Sequence, residues 1–274
     1  MIELPEAITI GKQVNEVLVG KRVTHVYGPT HLHKFTFFSG TPGEYNDMLA
    51  GRSVISSEGR GIFVDIKFDN EIYLSIFDGI NMRYGASTDK VPQKYQMLVT
   101  FDDNSFLSFT TSMYGGIYVF HKELDNKYRK RSMESVSPLS DYFNEAFFMN
   151  LMGNETKNIS VKALLASEQR IPGVGNGVLQ DILFNAGINP KRKIFSLSDN
   201  EKQTLFLSLK STLRMMVEYG GRDTETDFRG NKGRYKTILS KNSCTLPCPK
   251  CGNVIIKEAY MGGSVYYCRQ CQEL

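Results

Sequence analysis

Four cysteines near the carboxyl end have the spacing that most plainly implies chemistry. CPKC at 248–251 and CRQC at 268–271 are two C-x2-C pairs with sixteen residues between them. Each pair can present two thiolates on one tight turn, and two such turns supply the four soft ligands of a tetrahedral zinc site. Cys248, Cys251, Cys268 and Cys271 are expected to hold one structural Zn2+, with no open position left for catalysis. As a folding staple the module needs no other role, and as a nucleic-acid contact its hairpin would be used as well. Cys244 fits neither pair and reads as an ordinary thiol.

Two further stretches could do chemistry. In MIELPEAI, Glu3 and Glu6 bracket Pro5 within six residues of the amino terminus, an odd place for two carboxylates unless the chain end is used for something. In RIPGVGNGVLQDILFNAGINPKRK, Pro172, Gly173 and Gly175 delay a helix until Asn176. Unpaired N–H groups at such a helix start favour an anion, Asn176 could add a donor, and Lys191, Arg192 and Lys193 follow. A packing turn between two helices has the same composition, so both readings are open on this stretch alone.

Position is given to these residues by two kinds of element. After a helix around Ile8 to Val19, IFVDIKFDNEIYLSIF and LVTFDDNSFLSFTT alternate in period two about Asp69-Asn70 and Asp103-Asn104, the signature of hairpins. An antiparallel β-sandwich with flanking helices is expected over 1–130. A charged, Ser-rich linker follows at 131–142, with Pro138. The period is then helical over 143–242, where Ser160 caps VKALLASEQ and Ser198 with Glu201 boxes the start of KQTLFLSLKSTLRMMVEY, ended by Gly220-Gly221. A cysteine-bearing segment closes the chain at 243–274, its IIKEAYMGGSVYYC forming a hairpin about Gly262-Gly263. The class is α+β and multidomain.

Composition narrows the partners. Residues 1–150 carry 15 Lys+Arg and 18 Asp+Glu, a net of −3, whereas residues 151–274 carry 18 and 11, a net of +7. A polyanion is drawn to the second half by the summed field, although a solvated basic surface would give the same count. Five cysteines clustered at one end argue for metal rather than a disulfide framework. No run of some 18 apolar residues and no secretory leader occurs, so a cytoplasmic, nucleoid-associated monomer without a membrane partner is expected.

Taken in order, Glu3-Leu4-Pro5-Glu6, then Gly173-Val174-Gly175-Asn176 with Asp181, Leu183, Ala186-Gly187-Ile188 and Pro190, then YYC-x2-CQ at 266–272, resemble the formamidopyrimidine-DNA glycosylase and endonuclease VIII family of base-excision repair enzymes. The resemblance implies a catalytic amino-terminal end, a helix-two-turn-helix element gripping phosphates and a ribbon hairpin reaching the minor groove. It makes Glu3 the general acid/base and Glu6 the second acidic residue. The DNA-binding set it implies is Arg60, Tyr114, Lys162, Gly175, Asn176 and Lys191, and the partner is damaged or branched double-stranded DNA, with RNA as an alternative.

Departures from the family pattern fall on the catalytic side. The family's nucleophile is the amine of an amino-terminal proline, and Ile2 stands there, which leaves the primary amine of Met1 as a substitute. Arg60 replaces a lysine, keeping charge and forked donors but not a titratable amine. Gly263 replaces an arginine of the ribbon hairpin, Met113 the arginine that fills the gap of a flipped base, and Ile80 the void-filling methionine. The expectation is a DNA N-glycosylase that releases a modified base without the usual proline Schiff base and with doubtful abasic-site lyase activity. The alternative is an inactive relative that binds damaged or structured nucleic acid.

Overall fold

The computed structural model describes all 274 residues. Helix α1 (Leu4–Leu18) carries Pro5 in its first turn, where the missing N–H is no loss. Ala7, Ile10, Val14 and Leu18 recur at helical spacing and bury one face of it. Then come β1 (Val23–Tyr27), β2 (Thr36–Phe38), the short α2 (Tyr45–Leu49), β3 (Val54–Arg60), β4 (Phe63–Phe68), β5 (Ile72–Gly85), β6 (Met97–Phe101) and β7 (Phe106–His121). Asn70 and Asn104 take positive φ of 54° and 64° in the tight turns of the two expected hairpins, a conformation asparagine tolerates.

The strands run in the order β1-β6-β7-β5-β4-β3, all antiparallel, with β2 joining β7 in parallel. The strands β5 and β7 are 14 and 16 residues long, and their pairing shifts register between Asp78 and Ile80. Before that break β5 pairs with β4, and beyond it β7 pairs with β6. The two layers expected of a sandwich are therefore two limbs of one continuous sheet. Val26 and Val99 from one limb share a core with Val54 and Ile66 from the other. Helix α1 lies against this core, and its backbone touches that of β3. A β carbon on Gly59 would stand 1.9 Å from the Ala7 carbonyl oxygen, so only glycine fits the crossing.

The second half begins with α3 (Lys127–Glu134), whose start Asn126 caps by accepting from the Tyr128 and Arg129 N–H groups. Arg129 pairs with Asp65 at 2.6 Å and docks α3 on the sheet, so the stretch read as a linker from 131 starts inside a helix. Helices α4 (Glu145–Gly153), α5 (Val161–Ala166), α6 (Val178–Ala186) and α7 (Asp199–Glu218) follow around a second apolar core. Ser160 accepts from the Ala163 N–H, Ser198 and Glu201 form their reciprocal box, and Gly187 ends α6 at φ 70°. The last strands, β8 (Ile255–Tyr260) and β9 (Gly263–Cys268), turn through Met261 and Gly262, one residue earlier than the sequence suggested.

Side chains cross between the halves. Leu4 of α1 packs into the helical core, while Phe228, from the segment after α7, is buried in the sheet core and stacks on Tyr84 at 5.5 Å. No helix is long and apolar enough to cross a membrane.

Candidate active site and nucleic-acid face

The first six residues are tied to the glycine turn and to the loop after α7. Glu3 is 3% exposed, and its carboxylate accepts from the Gly177 N–H at 2.8 Å and the Val178 N–H at 2.7 Å, at the amino end of α6. This is the anion site expected at the turn, filled by the chain's own carboxylate. A β carbon on Gly175 would lie 2.7 Å from that carboxylate, and one on Gly177 would lie 1.5 Å from the Arg222 guanidinium. The GVGNG spacing is thus the space these two charges need.

Arg222, 2% exposed, neutralises both glutamates. Its Nη2 donates to Glu6 at 2.7 Å, its Nε at 3.0 Å, and its Nη1 stands 3.5 Å from Glu3. Burial pushes the Glu3 carboxyl up, and Arg222 pulls it back. The two carboxylates in turn hold the Arg222 guanidinium firmly protonated against burial. The sequence gives no sign of this arginine, which sits in GGRD with no local partner.

The terminal amine of Met1 pairs with the Glu225 carboxylate, and the Ile2 N–H donates to the Asp78 carbonyl at 2.7 Å. Ile2 itself is buried in the sheet core. The Asp78 carboxyl is pushed up to about 6, first by burial, then by the charge of Glu3, against the opposing pull of the Met1 amine. Asp78 and Glu225 escaped sequence reasoning because neither belongs to a motif.

The ribbon lies against α5, α6 and the loop beyond. Asn176 Nδ2 donates to the Ser264 carbonyl at 3.0 Å, while its Oδ1 is buried without a partner. Lys162 donates to the Tyr260 carbonyl at 2.5 Å, and Lys191 pairs with Glu258 at 2.6 Å. These three members of the expected DNA-binding set therefore engage the hairpin β8–β9. The four sulfurs of Cys248, Cys251, Cys268 and Cys271 lie within 4.8 Å of one another. Four thiolates about 2.3 Å from one ion need spacing of this kind, so the quartet fits a metal ion. Cys244 stands outside it, its sulfur against the Lys241 carbonyl.

Residues 135–227 match the family described as the formamidopyrimidine-DNA glycosylase H2TH domain. The formamidopyrimidine-DNA glycosylases of Cytobacillus firmus and Enterococcus faecalis are each 27% identical, covering 99% and 100% of this chain and 100% and 98% of theirs. The MutM (Fpg) protein of Thermus thermophilus has the same fold, with a TM-score of 0.81 at 22% identity over 98% of each chain. So does the Lactococcus lactis Fpg solved with abasic-site DNA, with a TM-score of 0.85 at 18% identity over 99% of this chain and 100% of the other. The chain carries a helix-two-turn-helix segment of the formamidopyrimidine-DNA glycosylase kind and is similar to such glycosylases over its whole length.

Within the formamidopyrimidine-DNA glycosylase fold the remaining expected residues fall in three places. Arg60 ends β3 partly exposed and joins no ion pair in the chain. Tyr114 and Met113 protrude from β7, 42% and 63% exposed. Ile80 is only 2% exposed in the sheet core and is not available to enter a DNA helix. At the ribbon, a β carbon on Gly263 would stand 3.2 Å from the Asn176 side chain. The residue standing in for the expected arginine is thus the one that lets the hairpin rest on Asn176.

Proposed function

We propose that this chain is a DNA glycosylase that grips damaged duplex DNA and releases a modified base at its amino-terminal end. The observation carrying the reading is the meeting, at one junction, of the Met1 amine, Glu3 and Glu225 with the glycine-rich start of α6. Full-length relatives named formamidopyrimidine-DNA glycosylase support it, as do similar folds solved with abasic-site and N7-benzyl-Fapy-dG DNA. The net of +7 over residues 151–274 suits a phosphate backbone, with Asn176, Gly175, Lys162, Lys191, Arg60 and Tyr114 as its proposed contacts and one Zn2+ holding the ribbon.

The amide of Ile2 is no nucleophile, so the reading gives that role to the Met1 amine after Glu225 takes its proton. Attack on the anomeric carbon forms a C–N bond as the bond to the base breaks. The base leaves with the electron pair and takes a proton from Glu3, whose carboxyl burial pushes up. Ring opening, with the sugar oxygen taking the second amine proton, leaves an imine that borohydride reduces. Duplexes bearing oxidised, alkylated or abasic sites test this. Base release with a borohydride adduct on the Met1 peptide is expected. Release without an adduct would transfer the role to water activated by Glu3, and neither product from any duplex would sink the enzymatic reading.

One observation favours binding without catalysis: both Glu3 oxygens already accept backbone N–H bonds. That second reading expects affinity that falls steeply with salt, survives Glu3→Gln and drops on Asn176→Ala. Affinity indifferent to salt would count against it.

A further inference from the structure

The charges around the amino terminus are uneven. Four carboxylates stand there, those of Glu3, Glu6, Asp78 and Glu225, against two cations, Arg222 and the terminal amine. Arg222 is taken up by Glu3 and Glu6. The amine is left to Glu225, with which it pairs, and to Asp78, whose carboxyl feels its charge without accepting a hydrogen bond from any group of the chain. Burial and the charge of Glu3 both oppose ionisation of Asp78, so the amine is the one group nearby that favours it.

The backbone sets Asp78 apart as well. It lies in the middle of β5 with φ 56°, at the break in register against β7. Irregularities of this kind re-aim side chains and gather next to active sites. Glycine adopts this conformation without strain, yet the glycine stands one place later, at 79, where a β carbon would lie 2.6 Å from the Tyr114 carbonyl oxygen. The break thus keeps a glycine for space and, beside it, a carboxylate in spite of strain. Asp78 also holds the chain end directly, since its carbonyl accepts the Ile2 N–H at 2.7 Å. That bond is to the first peptide of the chain, directly beside the amine.

A primary amine working here has a second proton to place. Once Glu225 has taken the first and the nitrogen has bonded to the anomeric carbon, the nitrogen carries two hydrogens and a positive charge. Ring opening then breaks the bond from that carbon to the ring oxygen, and the oxygen keeps the electron pair and needs a proton. Nitrogen and oxygen share one carbon, so direct transfer between them would close a strained four-membered ring. A carboxylate avoids this by accepting the proton at one oxygen and giving it up again. Glu225 already holds a proton. Glu3, once it has protonated the departing base, is held as a carboxylate by Arg222 and two backbone N–H groups. Asp78 is the carboxylate that remains.

We propose that Asp78 is the proton relay of this site, taking the second proton from the Met1 nitrogen and handing it to the sugar ring oxygen as the protonated imine forms. This role rests on the reading of the Met1 amine as nucleophile. The carboxyl, pushed up to about 6, is ionised at neutral pH and still gives a proton back readily. The titratable groups facing it are Glu3, the Met1 amine, Tyr114, pushed up first by the Asp78 charge, and Tyr118, pushed up first by burial.

Base release precedes ring opening, whereas borohydride traps only what ring opening produces, so the two readouts separate the relay from a structural role. Of the duplexes bearing oxidised or alkylated bases, the one that releases base fastest is used in single turnover with the full chain. Asparagine and glycine both tolerate left-handed backbone, so Asp78→Asn and Asp78→Gly keep the break in register and remove the carboxylate. In each, the ratio of trapped adduct on the Met1 peptide to released base is expected to fall about a hundredfold. In the unsubstituted chain that ratio drops as the pH falls below about 6, where the relay is already protonated, and in both variants this dependence is lost. An unchanged ratio, or adduct and release falling together, overturns the relay and leaves the Met1 nucleophile standing. Release without any adduct from the unsubstituted chain overturns the nucleophile and the relay with it, and no release from any duplex overturns the enzymatic reading as well.

Discussion

At the residue scale, the guanidinium of Arg222 reaches Glu3, Glu6 and the Met1 carbonyl from a site 2% exposed to water. Replacing it with methionine leaves two carboxylates buried without a counter-charge, at a cost of about 3–5 kcal/mol. The expected result is a lowered denaturant midpoint for Arg222→Met, largely restored when Glu3→Gln and Glu6→Gln are added. A midpoint unmoved by Arg222→Met alone would mean that the cluster contributes nothing net. The glutamates were legible because ELPE is a compact pattern, whereas Arg222 was not, since it meets Glu6 across 216 residues of sequence. That a glycine stands at 263, where the resemblance expects an arginine, could be read from the sequence. That the glycine there makes room for Asn176 could not, because the fact belongs to two elements at once.

At the scale of elements, the ribbon is held by a quartet of cysteines on one side and by Lys162, Lys191 and Asn176 on the other. Chelation is expected to release one Zn2+ per chain and to free the hairpin, while α4 to α7 keep their own core. Zinc titration together with far-ultraviolet circular dichroism reads both outcomes, and helix content lost in step with the metal would show the two units to be inseparable. Local rules made these elements readable. Ser160, Ser198 with Glu201, Gly187 and the C-x2-C pairs each act on residues a few positions away. The parallel docking of β2 on β7 and the register shift at Asp78 arise from pairings between distant segments, which period-two alternation cannot specify.

At the scale of the whole molecule, the expected modules hold side chains in common. Leu4 lies in the helical core, and Phe228 lies in the sheet core with Gln13 and Tyr84 bonded to its backbone. Phe228→Ala is expected to cost about 3–5 kcal/mol and to lower the unfolding temperature of the sheet, although the residue lies beyond the last long helix. A near-neutral effect in calorimetry would show the segment to be an ornament of the sheet rather than part of its core. Interlocking of this kind reaches back to synthesis. A nascent chain ordinarily finishes its first domain while the second is still being made. Here the sheet stays short of a core side chain until residue 228 has left the ribosome, long after its last strand, which ends at His121, has been made. The two halves are correspondingly poor candidates for exchange between genes, because a cut between them would leave each with a hole shaped like a residue of the other.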